Sequence, residues 1–189
     1  KNRLKRASAW QEYIRAAASV WGNSGADGIY LFNLFTHEDE DVGRIDRNTI
    51  FAPLSEVGSV TQLTGKDKLY GIDSIRNNFA QGSEATDLPI PLDIFERKLQ
   101  LNMGPDANDA KAQFKIHAWT SGGEPETKVW MRLNHALLEP MWQDDHYTVE
   151  IPSGLMRVGS NELALCCDIE LSKTISPLIV HEVLTSVTY

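Results

Sequence analysis

The hydrophobic period of this chain changes near Leu88, and that change limits what the chain can fold into. Upstream, apolar residues recur every three or four positions; from Leu88 onward they alternate with polar ones, the period of a strand with one face in a core. The alternating runs are Leu88 to Asp93, Phe95 to Asn102, Ala112 to Trp119, Lys128 to Asn134, His146 to Ile151, Glu162 to Asp168 and Leu178 to Tyr189, separated by Gly, Pro, Asn or Asp clusters. Strands at this spacing with no helix between them predict an antiparallel β-sandwich over residues 88–189.

The upstream part reads differently. Residues 3–21 are Ala-rich, lack Gly and Pro, and put Leu4, Ala7, Trp10, Ile14, Ala17, Ala18 and Trp21 on one stripe, which predicts a helix. Gly22, Asn23 and Gly25 supply a stop, and Gly28 to Phe35 is a near-continuous apolar run expected of a strand buried on both faces. Residues 49–63 return to helical spacing through Ile50, Phe51, Leu54, Val57, Val60 and Leu63. The expected fold is therefore mainly β: a helix-strand-helix α/β segment over 1–66, a turn-rich linker over 67–87 with one strand-like piece near Lys68 to Ile72, and a sandwich over 88–189.

Charge and motifs exclude several classes of function. The net charge is −8, and the cations Lys1, Arg3, Lys5, Arg6 and Arg15 are concentrated in the first 20 residues, so the main body is acidic and unsuited to gripping nucleic acid. No apolar run reaches the roughly 20 residues that span a bilayer. Cys166 and Cys167 are neighbours in a strand and point to opposite faces, against a mutual disulfide. There is no Gly-x-Ser-x-Gly elbow, phosphate-cradling loop or His-Glu-x-x-His motif, so no catalytic set, metal site or cofactor is expected within these residues.

Three places could still carry a site. His37, Glu38, Asp39, Glu40 and Asp41 lie just beyond the predicted buried strand, with Asn33 at its end; a solvated acidic loop, a site wall and a calcium loop are the alternatives. In the sandwich, alternation sends His117 and Trp119 to the non-core face of one strand and Trp130 and Arg132 to that of another, as a carbohydrate platform or a domain-packing surface. Trp142, in EPMWQDDH, is either a ligand-binding loop tip or a cap on the core. His181, between Ile179 and Val183, reads as a satisfied core or edge histidine.

GADGIYLFNLF, then PLSEVG and KDKLYGID, resembles the last strand and final helix of bacterial glycoside-hydrolase-like (β/α)-barrel proteins, in which a C-terminal β-sandwich commonly follows. VWMRLNHALLEP and HYTVEIPSGLMRVGSNELAL resemble jelly-roll domains with a galactose-binding-like fold, with Gly159, Asn161, Leu163 and Leu165 matching a turn that opens a strand. The resemblance implies a non-catalytic accessory domain with carbohydrate as its ligand and an upstream barrel as its neighbour. It also allows an extracytoplasmic setting in a bacterium. Two alternatives stand beside it: an active-site wall at residues 33–41 of a parent glycoside hydrolase, and a purely structural or protein-interaction module. A barrel fragment exposes strand edges, so association into a homo-oligomer is a further expectation.

Overall fold

A computed structural model describes residues 9–29, 38–39, 43–44, 51–73, 88–123, 127–143 and 145–189. In chain order its elements are helix α1 (Trp10–Asn23), a two-residue ladder of β1 (Glu38–Asp39) and β2 (Gly43–Arg44), then β3 (Lys68–Asp73), β4 (Ile90–Pro91), β5 (Arg97–Met103), β6 (Gln113–Ser121), β7 (Val129–Leu133), β8 (Ala136–Leu138), β9 (Met141–Gln143), β10 (His146–Ile151), β11 (Gly159–Cys167) and β12 (Ile179–Thr188). The larger sheet runs β3-β12-β6-β10-β9, with β4 also on β12; the smaller runs β5-β11-β7-β8. Every described pairing is antiparallel.

Alternation builds the core between the sheets. Leu99, Leu101 and Met103 of β5, Met131 and Leu133 of β7, and Leu163 and Leu165 of β11 meet Phe114, Ile116 and Ala118 of β6, Val149 and Ile151 of β10, and Val183 and Val187 of β12. Each large side chain removed from water contributes about 1.5–3 kcal/mol, so these two faces dominate the stability of the fold. The chain is thus a mainly β protein, an antiparallel sandwich with one α-helix ahead of it among the described residues.

The upstream part differs from its sequence reading in two respects. Over 49–63, the described residues form two short 3-10 turns, Ala52–Ser55 and Val60–Leu63, rather than one helix. Pro53 has no N–H and is tolerated in a first turn, while Ser59, extended after Gly58, keeps the two turns from joining and precedes the second. The strand-like piece at Lys68 pairs along its whole length with β12, so the sandwich reaches back into the stretch read as linker. The predicted strand at Gly28 to Phe35 lies largely outside the described residues.

The resembled turn is built from two asparagines. Asn134 and His135 both have positive φ, 48° and 72°, and make a tight two-residue connection between β7 and β8. Asn161 is fully buried: its Oδ1 accepts from Asn134 Nδ2 at 2.8 Å and Arg157 N at 2.9 Å, and its Nδ2 donates to Arg157 O at 2.7 Å and Gly159 O at 3.1 Å. Asn134 Oδ1 in turn accepts from Glu162 N at 3.2 Å. Asn161→Ala would leave several buried partners without bonds, and a loss of about 2–3 kcal/mol in urea unfolding is expected, with Leu163 and Leu165 still in the core.

Helix α1 lies against β3 and β5 by a face of small residues. Ala16 and Ser19 are buried, whereas Trp21 on the predicted stripe is 46% exposed. The close approach explains the shift: a Cβ on Gly104 would stand 2.0 Å from Ser19 Oγ and 2.9 Å from the Tyr70 hydroxyl. Arg15 Nε donates to Glu56 Oε2 at 2.7 Å, and Lys66 Nζ lies 2.9 Å from Oε1. The Arg15 guanidinium, helped by Lys66, holds the Glu56 carboxyl below the ordinary range against the opposing effect of burial.

Beneath α1 sits one buried carboxylate. Asp106 Oδ1 pairs with Lys68 Nζ at 2.7 Å and accepts from the Tyr189 hydroxyl at 2.6 Å; Oδ2 accepts from Tyr70 at 2.6 Å and Ser19 at 3.5 Å. Lys68 also donates to the carbonyls of Leu63 and Lys66, at 2.5 and 3.0 Å. Burial alone pushes the Asp106 carboxyl up, but the bonds from Lys68, Tyr189 and Tyr70 outweigh it and hold the group below its ordinary value. Burial first, then the neighbouring Asp106, push both tyrosine hydroxyls up.

Candidate functional site

The four residues expected to share a platform lie on two different sheets. His117 and Trp119 are on the outer face of β6 in the larger sheet; Trp130 and Arg132 are on the outer face of β7 in the smaller one. Alternation identifies the non-core face of each strand but not the sheet to which the strand belongs. The chain crosses from one sheet to the other between β6 and β7, so the core separates the two pairs.

On the larger sheet the group is buried. Trp119 is only 7% exposed and stacks on His146, with centroids 4.6 Å apart and planes 17° apart. His146 lies opposite Trp119 in the antiparallel register. His146 Nδ1 is 3.1 Å from Asp145 Oδ1, its Nε2 is 3.3 Å from His117 Nδ1, and His117 Nε2 is 3.3 Å from Ser186 Oγ. These contacts link Asp145, His146, His117 and Ser186 in one polar chain across the outer face, with the ring nitrogens donating or accepting according to tautomer. The arrangement anchors Trp119 rather than presenting it to a ligand. His181 is satisfied, bonded through Nε2 to Ser121 Oγ at 2.5 Å.

On the smaller sheet Arg132 Nε is tied to Glu96 Oε1 at 3.0 Å, and Trp130 remains 39% exposed. Trp130 forms one wall of a groove of about 670 Å³. Trp142 also lines it, 54% exposed on edge strand β9 and meeting Tyr147 edge to face with centroids 4.8 Å apart. Leu137, Lys128 and Glu139 complete the rim, and the Tyr147 hydroxyl donates to Thr127 O at 3.2 Å. Gly122 turns the chain at the groove's end with φ 71°; a Cβ there would stand 2.3 Å from Pro177 O.

The groove therefore joins Trp130 and Trp142 and leaves Trp119, His117 and Arg132 outside its lining. Tyr147, Leu137 and Glu139 were not singled out from sequence, whereas alternation puts Lys128 on the same non-core face as Trp130. Tyr147 faces inward in its strand, and β8 and β9, only three residues each, carry no clear alternation to mark them. Asn33 lies outside the described residues; Glu38 and Asp39 form β1, paired with Arg44 and Gly43. Among the described residues no group of three His, Cys, Asp or Glu is placed to hold a metal ion. Burial pushes the thiols of Cys166 and Cys167 up, which suppresses the reactive thiolate. Neither protein-family models nor curated protein sequences give a match to this chain.

Proposed function

We propose that this chain is a non-catalytic accessory domain of a glycoside-hydrolase-like protein and that it binds carbohydrate between Trp130 and Trp142. One observation carries the reading: two indoles from different sheets, both substantially exposed, face a single groove. Sugar rings present C–H faces that pack on flat aromatic surfaces and hydroxyls that need polar neighbours, here Lys128 and Glu139. The volume falls within the range of roughly 300–1,000 Å³ typical of small-molecule sites. Burial of Trp119 supports a structural role for that residue, so the domain-packing alternative is favoured for the larger sheet's outer face.

The test is a glycan titration followed by tryptophan fluorescence. Trp130→Ala and Trp142→Ala are each expected to weaken binding by tenfold or more, the effect of removing an anchor worth about 2 kcal/mol, while leaving the unfolding midpoint within the ordinary range of surface substitutions. Retention of full affinity in both variants would rule the groove out as the binding site.

A further inference from the structure

Building on the groove as the glycan site, we infer that its ligand is a neutral glycan rather than a uronate-containing or sulfated one. The inference comes from where the cations are. The charged side chains lining the groove are Lys128 and Glu139, one of each sign. On the same outer face of β7 as Trp130, Arg132 is already matched with Glu96 at 3.0 Å, and farther off the outer-face cations Lys98 and Lys115 pair with Glu162 at 3.0 Å and Glu150 at 3.3 Å. The whole chain carries a net charge of −8.

An anionic glycan repeats its charge along the chain and is held by a row of unpaired cations, through charge-assisted bonds and release of counterions. No such row lines the groove among the described residues, and the chain's net charge of −8 disfavours association with a polyanion. A neutral chain meets no such repulsion. Its rings stack on Trp130 and Trp142, Lys128 donates to ring hydroxyls, and Glu139 accepts from them.

The experiment titrates the 189-residue chain with neutral hexasaccharides of glucose, xylose, mannose and galactose, and with hexasaccharides of galacturonate, guluronate and chondroitin sulfate. Each is measured at about 20 and about 500 mM NaCl, which shortens the screening length from about 20 Å to about 4 Å. Binding of a neutral sugar with a Kd that moves less than about twofold with salt, and no binding of the anionic set, is the expected result. Binding of an anionic sugar that weakens about tenfold or more in salt, and again in Lys128→Met, would overturn the inference while leaving the groove in use. Silence from both sets, with Trp130→Ala and Trp142→Ala as stable as the parent, would overturn both readings and make the exposed indoles a contact for protein.

Discussion

Asp106→Ala is expected to lower folding stability by about 3–5 kcal/mol, measured as a fall in the urea midpoint at neutral pH with little change in slope. The substitution strands the Lys68 ammonium, whose side chain has no exposure, without a counter-charge, leaving it the Leu63 and Lys66 carbonyls and the Tyr189 ring 5.7 Å away. It also removes the acceptor for the hydroxyls of Tyr70 and Tyr189. Adding Lys68→Met should recover a substantial part of the loss, because the unpaired charge, more than the missing attraction, carries the penalty.

The same cluster sets limits in pH. The folded Asp106 carboxyl titrates below its unfolded value, so its contribution is complete above about pH 4 and disappears as acid protonates the folded form. The hydroxyls of Tyr70 and Tyr189 titrate above theirs, so their contribution is complete below about pH 10 and is lost as pH climbs through the folded values. Unfolding curves across pH should show a broad plateau with a fall on either side. In Asp106→Ala the acid fall should be shallower; an unchanged acid limb would assign it to other carboxylates.

Trp119→Ala is expected to cost about 3 kcal/mol, through the cavity left by a large buried ring and the loss of its stack on His146. The contrast with Trp130→Ala and Trp142→Ala is the informative part. Trp119 and Trp130 read alike in sequence, and Trp142 read as a loop tip or a cap on the core, but Trp119 should behave as core and the other two as surface. Thermal unfolding of the three variants side by side would show the division; equal destabilisation by all three would contradict it.

The strands that were legible in sequence are those whose alternation is enforced by a core on one side. His146–Ile151 has the bounds its pattern indicates, and β6, β7, β11 and β12 differ from theirs only at their ends. Gly159 and Asn161 were legible because a buried asparagine closing a strand entry has few substitutes that satisfy the same backbone groups. Asp106 was not legible. It sits in a Gly-Pro-Asp stretch that reads as a turn, and its partners lie 38, 36 and 83 residues away. The groove was half legible: Trp130 and Trp142 stood out as residues, but their convergence depends on β8 and β9 becoming edges of opposite sheets across Glu139 and Pro140.

That placement makes the groove a pair of jaws whose hinge is the sandwich itself. Trp130 stands on the outer face of one layer and Trp142 on the edge strand of the other, so their relative placement depends on how the two layers pack. Leu138 and Leu178 line the groove and are also part of the buried core, so they act as the shim that fixes this packing. The jaws can keep a constant bite only as long as the shim keeps its thickness, which ties the grip of the surface to the filling of the interior.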